Sequence, residues 1–240
     1  FKDKYLTNTA DFVKRRVKSL LVPYFLYNLF YLGVTVLIFK LTGKFWGQPL
    51  SLKNFFITPF LNGHQFDLSC PLWFVTQLFM TMISFLFIFI LLKKIKDNKF
   101  FHLAVFALLG LMAIPVSKLF ELTPLLLVLV RTMFSLFFVY LGYFYNNYIK
   151  EKHDIFTIKW FFAIVSIQAV LWLFNRDFDP EHGIGLSYVL VWARFDQQII
   201  VPVITSITGI WASLFTVKIL YPYLKDVKFF EQMGNVTYHI

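Results

Sequence analysis

The sequence predicts an all-α fold, a polytopic bundle of transmembrane helices, on three observations. Hydrophobic residues make up 58% of the chain, charged residues only 15%, and mean hydropathy is +0.66. A soluble domain cannot hide that much apolar surface, so lipid must solvate part of it. Charge-poor runs recur along the chain, each near the ~20 residues that a bilayer-spanning helix needs. Finally, Lys and Arg are dense in every second connection, as the positive-inside rule requires.

Six helices follow in order. Leu20–Phe39 carries no charge, and neither does Leu72–Leu92. Phe100–Ser117 contains one titratable side chain, His102. Leu122–Tyr148 is long and broken only by Arg131. Trp160–Phe174 is short, so it is expected to borrow from Ile155–Lys159 or Asn175. Gln197–Val217 is the sixth. Lipid tolerates helices and closed barrels only, and these runs lack β alternation. With a cytoplasmic N-terminus, the inner connections hold 16 Lys or Arg and the outer ones 6. The bias keeps its sign at every crossing, which predicts a multi-pass protein of the cell (cytoplasmic) membrane.

Two connections on the outer side are long. In the first, "SLKNFFITPFL" (51–61) offers Ser51 as an N-cap and places Leu52, Phe55, Phe56 and Phe60 at helical spacing. It predicts a short interfacial helix lying on the outer leaflet. Pro71 suits the first turn of the next span, and Trp73 then sits at headgroup level. The second, 175–196, is broken by Pro180, Gly183 and Gly185. It reads as a loop over the outer mouth or as a re-entrant piece. There is no repeat and no soluble domain, so residues 1–240 form a single membrane-embedded domain. The chain opens without Met and ends at "GNVTYHI", and it reads as an excerpt incomplete at both ends.

A formal net charge of +10 would suggest nucleic acid in a soluble protein. Here the cations sit between apolar runs, and topology explains them without a nucleic-acid partner. Cys70 is the only cysteine, which excludes an internal disulfide. No zinc motif, paired carboxylate or Ser–His–Asp order is present, so no metal is expected. His64, Glu181 and His182 fall in outer loops and read as solvated; His102 reads as a snorkelling residue at an inner helix end; His239 sits near the last residue.

Three constellations remain. The first is Lys14, Arg15, Arg16 and Lys18, immediately before an apolar run that opens with Pro23 and carries the polar tips of Tyr24, Tyr27 and Asn28. The cluster serves as an orientation signal, or it holds an anion, since Arg forks suit phosphate oxygens. The second is Arg131, about two turns inside the outer end of its span. A charge in hydrocarbon costs at least ~2.5–3.5 kcal/mol, so it snorkels outward or turns inward to a partner. Glu121, just outside the same span, is a candidate partner. In the third, Trp73 and Gln77 lie four apart on one helix face, either as belt Trp and helix-bonding Gln or as an aromatic and an amide for a sugar.

"FVKRRVKSLLVPY" resembles the basic cluster and Leu-Leu-x-Pro-Tyr opening of a transmembrane helix in the acyltransferase 3 family of integral-membrane O-acyltransferases. "PLWFVTQLF" is similar to that family's Leu-Trp-Phe stretch, "VRTMFSLFFVYLGYFY" to its Arg-then-Phe-Phe-x-x-Gly helix, and "MGNVTYHI" to its final Gly-x-x-Ser/Thr segment. The four occur in order over nearly the whole chain. The closest likeness is to the sugar O-acetylase branch, such as fucose 4-O-acetylase. The resemblance implies about ten helices in the intact protein. It implies acyl-CoA (acetyl-CoA) as a co-substrate, with no bound cofactor. The acceptor it implies is a sugar hydroxyl of a cell-surface glycan, glycolipid or exopolysaccharide. A catalytic His is expected upstream of residue 1. The family's paired Arg, two residues apart, falls here on Arg16 and Ser19, or loosely on Arg15 and Lys18, so the second Arg is not kept. The expected donor contacts are Arg15, Arg16 and Lys18; the acceptor-side residues are Trp73, Gln77 and Glu121; Arg131 is an auxiliary catalytic group. The rival expectation is a transporter or flippase for a lipid-linked sugar, with Arg131 as its binding cation.

Overall fold

The computed structural model describes residues 8–62, 65–150, 156–174, 176–179, 183–186, 188–190, 193–195 and 200–224. The first long helix runs from Thr9 to Thr42. It comprises α1 (Thr9–Arg16), a π turn (Val17–Leu21) and α2 (Val22–Thr42). Asn8 starts it, its Oδ1 accepting from the Asp11 amide at 3.2 Å. Gly43 ends it at φ 73°, a left-handed cap that favours glycine. Next come α3 (Leu52–Phe56), α4 (Thr58–Asn62), a 3-10 turn (Asp67–Leu72) and α5 (Trp73–Ile95). They lead to α6 (Lys99–Leu119), α7 (Pro124–Phe144) with a second π turn (Tyr145–Ile149), α8 (Ile158–Phe174) and α9 (Ile200–Leu224).

Five helices are long and apolar enough to cross a membrane, and the architecture is the all-α polytopic bundle expected. The exception in length is α8, whose 17 residues span about 26 Å. It borrows Ile158 and Lys159, as its short apolar run required. Between α8 and α9 the backbone forms two small antiparallel ladders. β1 (Arg176–Asp179) pairs β2 (Gly183–Leu186), and β3 (Tyr188–Val189) pairs β4 (Arg194–Phe195). A loop over the outer mouth or a re-entrant piece was expected over 175–196; the described residues there pair locally, and a ladder satisfies their backbone groups.

The chain divides into two compact units. The first takes in residues up to Ala113 together with Phe120–Tyr140. Here α1 and its π turn pack on α5, while α2 packs on the 3-10 turn that precedes α5. The long helix therefore runs antiparallel to α5. Its cations point toward the end of α5 that carries Lys93 and Lys94, so the two basic segments share one side of the fold.

The outer connection departs from expectation. Ser51 caps α3 as predicted, its Oγ accepting from the Asn54 amide at 3.0 Å. The segment does not lie flat at the outer end of its span. Phe25, at the start of α2, has ring centroids of Phe55, Phe56 and Phe60 at 6.1, 5.3 and 6.4 Å. Phe60 in turn meets Phe79 of α5 at 6.4 Å. Gly43 lies about 27 Å further along the helix axis than Phe25. The chain thus doubles back beside its own span, because four phenylalanine rings gain more from one another than from the headgroup layer. Side chains satisfy this returning backbone. Asn54 Nδ2 donates to the Pro49 carbonyl at 2.8 Å and Thr76 Oγ1 to the Pro59 carbonyl at 3.2 Å.

An aromatic column ties α5, α6 and α7. Phe85 stacks on Phe106 at 5.3 Å and Phe106 on Tyr140 at 4.9 Å. The Tyr140 hydroxyl donates to the Lys99 carbonyl at 2.7 Å. His102 is buried against this column rather than snorkelling, with Nε2 2.8 Å from the Lys96 carbonyl. That bond fastens the turn between α5 and α6, and the rings of Phe89 and Tyr140 replace solvent.

The second unit combines Ile114–Leu119 with the chain from Leu141. Within it α8 packs on α9. Gln168 Nε2 donates to the Thr205 carbonyl at 3.0 Å and to Thr208 Oγ1. Phe156, Trp211 and Phe215 stack in succession at 5.7 and 5.1 Å.

Candidate active site

The sequence of α7 holds one cation among apolar residues, and its burial decides what it does. Arg131 is 1% exposed, the only Lys or Arg buried among the described residues. It turns inward and does not snorkel. Its guanidinium carbon lies 5.1 Å from the centroid of the Trp73 ring. Such a contact is worth about 2 kcal/mol once water is excluded. Trp73 opens α5 and is half-buried, and its ring is the platform for Arg131.

Gln77 follows one turn later on the same face and is buried. Its Nε2 donates to Thr132 Oγ1 at 2.9 Å. Thr81 Oγ1 donates back to the Gln77 carbonyl at 2.9 Å. The amide therefore bonds to the neighbouring helix, as one of the two sequence readings has it, and that bond sets Gln77 beside Arg131. Trp73, Gln77 and Arg131 come together; Thr132 completes the group. Sequence reasoning passed over Thr132, although a hydroxyl next to an intramembrane arginine was the available signal. Glu121 is not part of the group. It is exposed in the turn before α7, and its side chain makes no ion pair among the described residues.

The basic cluster lies at the other end of the first unit's long helix. Lys14, Arg15 and Lys18 are exposed. Arg16 is half-buried and folds over the buried Phe12, with Cζ 5.0 Å from the ring centroid. Of the three polar tips expected in the span, Tyr24 and Asn28 are buried and Tyr27 is exposed. His64, Glu181, His182 and His239 lie outside the described residues.

Helices of membrane length around an inward arginine, held on an indole and flanked by an amide, define a multi-pass membrane protein with a polar interior site. The family model described as an acyltransferase domain, acyltransferase 3, matches residues 3–240, and the chain belongs to that family. Neither a curated protein nor a solved structure matches it. The protein is a membrane acyltransferase domain.

Proposed function

We propose that this domain moves an acyl group, most simply acetyl, from acyl-CoA to a sugar hydroxyl of a cell-surface glycan, glycolipid or exopolysaccharide, in the manner of the sugar O-acetylase branch. The observation that carries the reading is the burial of Arg131 on Trp73 beside Gln77. A cation preorganised in a water-excluded site stabilises negative charge that develops on a carbonyl oxygen as a hydroxyl attacks it. An indole and an amide suit a sugar's apolar face and its hydroxyls. The exposed cations Arg15 and Lys18, with Arg16, offer forks and point charges for the donor's phosphates. In this reading the N-terminal end is cytoplasmic, the membrane is the cell membrane, and Glu121 stands at the outer rim without a role in charge stabilisation.

The test is transfer of labelled acetyl from acetyl-CoA to glycan by membranes carrying the full-length protein. Replacing Arg15, Arg16 and Lys18 with Gln is expected to raise the acyl-CoA KM about tenfold or more, each charged hydrogen bond contributing roughly 1.5–3 kcal/mol. Unchanged KM with altered membrane orientation would leave the cluster a topological signal alone. The alternative is a flippase for a lipid-linked sugar, which also uses an intramembrane arginine. It requires substrate movement without label transfer.

A further inference from the structure

The turn from Lys93 to Lys99, between α5 and α6, holds four lysines against one carboxylate, Asp97. Membrane orientation asks only for a count of cations, which a loosely held loop supplies. This turn is held from two helices. Nε2 of His102, on α6, lies 2.8 Å from the Lys96 carbonyl, and the Tyr140 hydroxyl, on α7, donates to the Lys99 carbonyl at 2.7 Å. Both side chains are buried. Between these anchors the Asn98 amide donates to the Lys96 carbonyl at 2.9 Å. Asn98 Oδ1 accepts from the amides of Phe100 and Phe101 at 2.8 and 3.1 Å. The backbone is thus ordered before any ligand arrives, which lowers the entropic cost of binding one.

The lysine heads are positioned too. Nζ of Lys93, Lys96 and Lys99 lies 5.6, 6.0 and 5.2 Å from the ring centroids of Phe89, Phe101 and Phe100. Lys94 and Lys96 are exposed. Apolar surface beside them is exposed as well. Leu91 and Ile95 stand four apart on one face of α5, and Phe100 lies in the first turn of α6. A soluble anion would use the ammonium groups and leave these apolar side chains bare. A phospholipid meets both, with its phosphate on the lysines and its acyl chains on Leu91, Ile95 and Phe100.

We propose that this turn is a preformed site for the headgroup of an anionic phospholipid, in the leaflet on the basic side of the fold. Lysines clustered just outside a span are the pattern that recognises such headgroups, each adding to the attraction. Tyr140 ties the site to the helix that carries Arg131, so a bound headgroup steadies α6 against α7. The proposal does not depend on the acyl-transfer reading, and no arm of its test measures transfer.

The experiment follows melting of the full-length protein in mixed micelles with dioleoyl phosphatidylglycerol, with the same amount of dioleoyl phosphatidylcholine, and with glycerol 3-phosphate, a soluble phosphate without chains. Phosphatidylglycerol is expected to raise the melting temperature by several degrees over phosphatidylcholine, because a ligand that binds the folded state stabilises it. Glycerol 3-phosphate is expected to leave it unchanged. Lys94→Gln combined with Lys96→Gln is expected to lose most of the rise. Lys150→Gln combined with Lys159→Gln, an equal loss of exposed charge elsewhere, is expected to keep it. Tyr140→Phe leaves all four lysines but frees the Lys99 carbonyl; it should lower melting in both lipids and shrink the difference between them. Equal rises in the two lysine double variants mean diffuse surface charge, and an undiminished difference in Tyr140→Phe means that the order of the turn is irrelevant; either result overturns the proposal. An equal rise with glycerol 3-phosphate makes this a site for soluble anions and overturns it too, as does wild-type protein that melts alike in both lipids.

Discussion

Arg131 is where charge, burial and aromatic contact coincide. Its guanidinium is flat and lies over an indole, a geometry that an ammonium does not reproduce. Arg131→Lys is therefore expected to keep the protein folded and to lower kcat about 100-fold, the scale seen when one charge-stabilising donor is lost. Donor KM should stay near its wild-type value, and steady-state kinetics on purified protein check both numbers. A raised donor KM with normal kcat would move Arg131 to the donor side. The sequence left Arg131 two options, snorkelling outward or turning inward, and its burial decides for the second. Its platform was not legible. Nearness along the chain pointed to Glu121, whereas packing brought Trp73 from another helix. Tyr24, Tyr27 and Asn28 show the same limit: all three are polar tips in one run, yet Tyr27 is 58% exposed while Asn28 is fully buried. In lipid both faces of a helix are apolar, so periodicity carries little information about which face is inside.

At the scale of elements, the seam between α6 and α7 is set by Gly110. A Cβ there would lie 2.7 Å from Phe137 Cβ, closer than packed carbons tolerate. Gly110→Ala is expected to cost about 1–3 kcal/mol through overpacking. A lower melting temperature in detergent with unchanged topology would register it; unchanged melting would mean that the helices do not pack this closely. The starts and ends of the spans were read to within a few residues where a turn adjoins them. The second span was expected over Leu72–Leu92, and α5 covers Trp73–Ile95. They were read poorly where a helix continues through a charge, as the first does through Lys14–Lys18. The last span was placed at Gln197–Val217, but α9 covers Ile200–Leu224. Lys218 does not end it, since its Nζ donates to the Phe156 carbonyl at 2.9 Å. Neither π turn was visible in the sequence; the first brings the buried Phe12 into line with the buried face of α2, which residue type alone does not announce.

For the whole molecule, the antiparallel course of the long helix and α5 sets Lys14–Lys18 and Lys93–Lys94 on one side. Accessibility labelling of single cysteines is expected to place positions 15 and 97 together on the cytoplasmic face and position 44 opposite them. Labelling of 15 and 97 from opposite faces would break the topology. Alternating cation density predicted this arrangement, and the helical architecture was legible from composition and run length alone. The return of residues 52–62 to Phe25 was not, since its phenylalanines suit an interface as readily as a protein interior. That return has a mechanical meaning. Phe56 and Phe60 hook a connecting segment onto Phe25 and Phe79, so a break in this connection would slacken two helices at once.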